Sequence, residues 1–406
     1  MPLKVPIEGS SDFSEFSFSH FEQNGSNYFV LNNDDGSGEQ IRIEFPFSID
    51  KIPLDYTVSL FAFRNIYYSQ SDLIELRLHE KVAESGRIGY IYLLSALVDR
   101  ENSNFNKHTI PYVYLTYLKL ITGINPFKEI IPTTQSDIYK ISDFYNDDLV
   151  ITAICDQLVV DVIDFSFDDY LYLFYTHGFI YVEDVLTTTN YNPIPFVKEN
   201  FESIKESLYN GRYSWKIIGA SKTLRSEVYP SVLIKRLISE KHYFLSKFHI
   251  LYQVIELLIS DVLKNEIMLT FNNLDNEVSG QKIKETFSML ATEGYRIKLL
   301  INSYCKHTIG FDTVMIEKIN HFFSEIRVNL PESDGDSVSN KLSSLIYKHR
   351  NNLVHNYRVI HQEGDRVNMY LVLLDELNSY FEYLIFEILH SYKRRLSISE
   401  IETTTV

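Results

Sequence analysis

Apolar and polar residues alternate with period two through the first half of the chain and shift to a helical period near residue 235. Ile41-Arg42-Ile43-Glu44-Phe45-Pro46-Phe47 and Leu73-Ile74-Glu75-Leu76-Arg77-Leu78-His79 put apolar side chains on one face and mostly polar ones on the other, as half-buried strands do. Asn32-Asn33-Asp34-Asp35-Gly36-Ser37-Gly38 supplies a turn ahead of the first of these. Apolar runs from Val58 to Phe63, Leu149 to Ile154, Leu158 to Val162 and Tyr170 to Tyr175 predict further strands. The expectation is a β-rich α+β domain over residues 1–230, ending between 190 and 230.

Farther on, Phe244, Phe248, Leu251, Tyr252, Ile255, Leu258, Ile259 and Val262 recur at three- and four-residue spacing, the stripe of a core helix. A polar turn from Asn272 to Gly280 follows. Helical spacing resumes from Ile283 through Leu290, from Ile297 to Ile301 and around Val314 to Val328. Pro331-Glu332-Ser333-Asp334-Gly335-Asp336 is a loop with capping residues for a helix whose buried face is Val338, Leu342, Leu345, Ile346 and Leu353. Gly364 breaks the pattern. A last helix carries Val367, Tyr370, Leu371, Leu374, Leu377, Phe381, Leu384, Ile385, Ile388 and Leu389. These segments predict an all-α antiparallel helical bundle over residues 235–395 and a flexible tail over 396–406, so the fold class expected is α+β.

The 406 residues suffice for two cores, and 45% hydrophobic with 14% aromatic content marks a globular chain. The two cysteines, Cys155 and Cys305, have no His or Cys at metal-ligand spacing; this argues against a disulfide framework or structural zinc and points to a reducing cytoplasm. No charged n-region precedes an apolar core at the N-terminus and no uncharged apolar run approaches about 18 residues, so neither secretion nor membrane association is expected. The acidic positions Asp156, Asp161, Asp164, Asp168 and Asp169 match no metal-ligand spacing and read as solvent-facing carboxylates. The Tyr and Phe of the first half lack interleaved Lys or Arg and read as strand residues, not as a base-stacking platform.

A formal charge of −16 excludes a protein that coats nucleic acid with its whole surface; any such contact is local. Between Lys341 and Arg366 the balance reverses. Lys341, Lys348, Arg350, Arg358 and Arg366, with His349, His355 and His361, stand against Glu363 and Asp365. One reading is a solvated helix face; the other is a phosphate-tracking groove in which Lys348, His349, Arg358 and His361 bind RNA.

Within this stretch lies Arg350-Asn351-Asn352-Leu353-Val354-His355-Asn356-Tyr357. Arg forks onto phosphate oxygens, and His carries a proton both ways near neutral pH, so the pair suits phosphodiester chemistry without a metal or other cofactor. On a helix, Arg350 and His355 lie about 140° apart, while Asn351 sits one turn from His355 and can orient it. A second copy facing the first across a two-fold axis completes such a site. The bare spacing is common by chance; the Asn after the Arg, the His-x-Tyr ending and the flanking helices supply the specificity.

Arg-Asn-x-x-x-His-x-Tyr on the penultimate helix of a C-terminal bundle resembles the HEPN superfamily, over residues 235 to 395. The arrangement of a large N-terminal domain before such a bundle is similar to the Apea-like HEPN proteins of bacterial phage defence. The resemblance implies a homodimeric, metal-independent endoribonuclease of an abortive-infection or toxin–antitoxin system, acting on tRNA, mRNA or rRNA. Arg350, His355 and Asn351 would be catalytic, and a phage trigger or an antitoxin would be the controlling partner. The His-x-Tyr ending resembles HEPN toxins paired with a nucleotidyltransferase, which implies regulatory modification of Tyr357; the alternative is a packing tyrosine. Two rival readings stand beside the nuclease: a module that binds RNA or a nucleotide without cutting, and a structural bundle in which Arg350 pairs with a carboxylate.

Overall fold

A computed structural model describes residues 2–23, 25–53, 55–79, 86–99, 105–123, 130–160, 162, 165–182, 194–209, 211–220, 224, 227–237, 244–272, 280–305, 309–326, 337–355 and 367–395, except for the side chains of 236, 309, 310, 355, 367 and 368. The protein is α+β, with two sheets in its first half and helices in its second. Strands are β1 (Leu3–Pro6), β2 (Phe13–Gln23), β3 (Asn27–Asn33), β4 (Gln40–Phe45), β5 (Val58–Arg64), β6 (Leu73–Leu78), β7 (Arg87–Leu93), β8 (Ile138–Tyr139), β9 (Val150–Cys155), β10 (Ile180–Tyr181), β11 (Leu208–Tyr209) and β12 (Arg212–Ile217). Helices are α1 (Ile110–Thr122), α2 (Asp156–Val159), α3 (Leu171–Thr176), α4 (Val197–Glu206), α5 (Val228–Val232), α6 (Phe244–Asn272), α7 (Gly280–Leu290), α8 (Glu293–Leu299), α9 (Ile309–Glu325), α10 (Val338–His355) and α11 (Val367–Ser391). They form two compact units, residues 1–190 with 196–218, and residues 191–195 with 219–406.

In the first unit a five-stranded sheet has the order β1-β2-β3-β4-β8 and a seven-stranded sheet the order β10-β5-β9-β7-β6-β12-β11. Neighbours are antiparallel except β4 with β8 and β6 with β12. Helix α1 is apolar on nearly all sides because it lies between the sheets. Its Tyr117 ring sits 5.6 Å from Phe29 and 5.2 Å from Phe45 on the smaller sheet, and its Tyr112 ring 4.9 Å from Tyr90 on the larger one. Strand β9 is buried at every position because α1 covers one face and a second aromatic layer the other, so its sequence is continuously apolar. That second layer joins Phe63, Phe174, Phe179, Phe201 and Trp215, with Phe174 4.8 Å from Trp215 and Phe179 5.9 Å from Phe201.

The expected strands at 41–47, 58–63, 73–79 and 149–154 are present as β4, β5, β6 and β9, and the turn at 32–38 joins β3 to β4. Two others are corrected. Leu158 to Val162 begins in helix α2 and leaves Val160 76% exposed, because Asp156 at the head of that turn accepts hydrogen bonds from Thr57 Oγ1 (2.9 Å) and Ser59 Oγ (2.7 Å) and bends the chain off the sheet. Tyr170 to Tyr175 is helical, following a 3-10 turn over Phe167–Tyr170. A run apolar at every position has no period to separate strand from buried helix; the stop signal is Gly178, left-handed at φ 85°, whose N–H bonds Tyr175 O. Asp161 and Asp164 lie outside the described residues.

In the second unit, the predicted stripe from Phe248 to Val262 is buried along α6, each side chain contributing about 1.5–3 kcal/mol of burial. The bundle is antiparallel only in part. Helix α10 opposes α8, since Arg350 meets Glu293 while Asn340 meets Asn302; α9 opposes α11, since Phe311 meets Tyr383 and Lys318 meets Glu376. Helices α6 and α11 run parallel: Phe244 meets Asn378, Lys247 meets Glu382, and Asp261 meets Tyr392. The polar turn after Asn272, the loop 331–336, Gly364 and the tail 396–406 lie outside the described residues. Among the described residues no helix is long and apolar enough to cross a membrane.

Strand β7 is the centre of the larger sheet, and a Cβ built on its Gly89 would lie 1.9 Å from the carbonyl oxygen of Ala153 on β9. The obstacle is backbone and cannot rotate away. Gly89→Ala is therefore expected to cost more than about 3 kcal/mol and to abolish cooperative melting of the first unit, as read by calorimetry; a wild-type transition would contradict the close approach.

Candidate functional site

Helix α10 is amphipathic, and its inward stripe is Leu342, Leu345, Ile346, His349 and Leu353. Val338, expected on this face, is exposed at the first turn. His349 continues the stripe at three- and four-residue spacing, a signal present in the sequence beneath its polar name. Its ring is 1% exposed and stands edge-to-face to Phe248 of α6 at 4.9 Å, and to Phe322 and Phe323 of α9 at 5.1 and 6.0 Å. Among the described residues neither ring nitrogen has a hydrogen-bond partner, and burial pushes its pKa down to about 3. His349 is neutral in the core, which corrects its assignment as an RNA-binding residue.

Arg350 follows directly, about 100° round the helix, at the edge of the buried face. Its side chain is 24% exposed. Nη1 donates to Asn351 Oδ1 at 3.1 Å, Nε lies 3.8 Å from Glu293 Oε1, and the guanidinium carbon is 5.9 Å from the Tyr252 ring centre. Tyr252 in turn donates its hydroxyl to the same Glu293 Oε1 at 2.7 Å. Burial, and then the bond to Glu293, push the Tyr252 phenol far above its ordinary value. Glu293 opens α8, where the positive end of the helix favours a carboxylate. His249, one turn before Tyr252 on α6, is held below its ordinary pKa by burial and then by the charge of Arg350, while Glu256 opposes the shift.

Asn351 Oδ1 accepts a hydrogen bond from Arg350, while its expected contact with the imidazole of His355 lies outside the described residues. Lys348 and Arg350 flank His349 on opposite sides, about 160° apart, so α10 does not present them together. His355 ends α10, with its side chain outside the described residues, as are Asn356, Tyr357, Arg358 and His361. The structure thus brings Arg350 to Asn351, Tyr252, Glu293 and His249. The last three come from helices distant in sequence, and no local spacing could have named them. Among the described residues no three His, Cys, Asp or Glu side chains cluster as a metal site. No protein-family model, curated protein or solved structure matches the chain.

Burial of a neutral imidazole links stability to pH. The unfolded ring takes a proton near 6.5 and the folded one only near 3, so this stability is intact above pH 6.5 and is lost as pH falls toward 3. At pH 5 the loss is about 2 kcal/mol. His349→Phe keeps the shape and removes both unbonded nitrogens, so it is expected to melt no lower than wild type at pH 8 and to exceed wild type by several degrees more at pH 5 than at pH 8. Equal acid sensitivity of the two proteins in thermal melts would show that His349 is not the titrating group.

Proposed function

We propose that the chain is a metal-independent endoribonuclease of a bacterial defence or toxin–antitoxin system, acting through Arg350 and His355 in a site completed by a second copy. The observation that carries this reading is the state of Arg350. Its guanidinium is part exposed on a packed helix that continues unbroken to His355, and it is oriented by the neutral Asn351, with Glu293 only at the outer limit of ion-pair distance. Arg has five N–H donors, so most remain for phosphate oxygens. In this reading His355 moves the proton of a ribose 2′-hydroxyl as it attacks the adjacent phosphate, Arg350 stabilises the charge on the phosphorane oxygens, and a cyclic phosphate end results. In this reading Asn351 holds the guanidinium through its Oδ1 and also orients the imidazole of His355.

Glu293 favours the second reading, a structural Arg350 paired to a carboxylate, and one experiment separates the two. His355→Ala is expected to lose 10²- to 10⁴-fold in RNA cleavage with an unchanged melting curve, and Arg350→Lys to fail likewise because a point charge does not replace a fork. Comparison of RNA 3′ ends from a bacterial host making wild type or His355→Ala reads the result. Wild-type cleavage by His355→Ala would overturn the assignment, and RNA binding with no cleavage by either protein would make the chain a binding module.

The composite site predicts a dimer or larger even assembly in solution. Light scattering at micromolar concentration checks this; a cleaving monomer would contradict it.

A further inference from the structure

The first unit contains a cavity of about 480 Å³ between the loop before β5, the start of α1, the first residue of β7, the end of β9 and helix α2. That volume falls within the range of sites for small organic ligands. Its charge runs against that of the chain. In a molecule of formal charge −16, the wall carries Lys51, Arg87 and Lys107 as permanent cations, with His108 beside them, against the single carboxylate of Asp55.

Arg87 is the fixed member of this set. Its Nη1 donates to the Tyr90 hydroxyl at 3.0 Å, and its guanidinium carbon stands 5.6 Å from the Tyr90 ring centre and 5.8 Å from that of Tyr112. Burial pushes the Tyr112 phenol up to about 12 and raises that of Tyr90, so both rings are neutral at pH 7 and orient the guanidinium without cancelling its charge. The nearby Glu75 carboxylate acts on Arg87 as well, but its direct ion pair, at 2.7 Å, is with Arg77. A part-buried, pre-oriented Arg fork beside two exposed lysines is the arrangement that binds a phosphate group.

The rest of the wall is apolar. Ile52, Leu115 and Leu158 line it, and the Tyr56 ring is 48% exposed at its edge. A lone inorganic anion needs neither this volume nor these surfaces. A flat ring joined to a phosphate uses both, the ring against the aliphatic wall and Tyr56, the phosphate against Arg87, Lys51 and Lys107.

We propose that this cavity binds a nucleoside phosphate, which makes the first unit a ligand-sensing module. The proposal does not rest on the nuclease reading, and its test reads binding alone.

Titration calorimetry on the full-length chain uses adenosine 5′-monophosphate, adenosine and inorganic phosphate as probes. The monophosphate is expected to bind at least about tenfold more tightly than either fragment, and added salt is expected to weaken it. Lys51→Glu with Lys107→Glu changes exposed positions, should leave the melting curve unaltered, and is expected to weaken the monophosphate at least about tenfold. Arg87→Lys keeps the charge, loses the fork and should weaken it too; if that protein is unstable, the double variant alone decides. No binding of the monophosphate at about millimolar concentration, adenosine or phosphate binding as tightly as the monophosphate, or unchanged binding by the double variant would each overturn the proposal.

Discussion

The seating of His349 among Phe248, Phe322 and Phe323 sets the geometry of the second unit. That contact ties α10 to α6 and α9 and fixes the rotation of α10 about its own axis. His349 and Arg350 are consecutive, so only one of them can face inward. Burying an unbonded neutral imidazole costs about 1–3 kcal/mol, whereas burying an unpaired guanidinium costs far more. Leu342, Ile346 and Leu353 share the inward face with His349, and their burial offsets the imidazole cost. The polar residue in the core is what keeps the permanent cation at the edge.

Around that cation the charges are nearly balanced. Glu293 is favoured by the start of α8, by the Tyr252 hydroxyl and by Arg350, three influences from three helices. The Arg350 to Glu293 contact is part exposed and 3.8 Å long, and such contacts contribute at most about 1 kcal/mol. In the proposed nuclease, a phosphate offering two charge-assisted hydrogen bonds would compete with it. A positive centre can thus persist locally in a strongly acidic chain.

The parts legible in the sequence were those with a clear period. Ile41, Ile43 and Phe45 alternate and form β4, and the stripe of α6 recurs over five turns. The misread parts lacked one. Tyr170 to Tyr175 is apolar throughout, and its helical state is fixed by Gly178 and by packing against Trp215. Helix α1 gives no periodic signal for the same reason, being covered by both sheets. At the candidate site the motif named Arg350 and Asn351 from neighbours in sequence, whereas Tyr252 and Glu293 reach Arg350 through packing alone. The polar residue type of His349 points outward, whereas its position on the helical stripe places it in the core.

The parallel course of α6 and α11 bears on how the bundle is made. Asn378 donates to Phe244 O across 134 residues, and Tyr392 to Asp261 across 131. An antiparallel pair joined by a short loop closes early, but this pair closes a very long one, and the closure entropy is lost before any contact repays it. During synthesis α6 leaves the ribosome more than a hundred residues ahead of α11, so Phe248 and Tyr252 wait uncovered on the side that Phe381 later packs against. The packing around Phe248, which seats His349 and so sets the orientation of Arg350, is therefore complete only once α11 has docked.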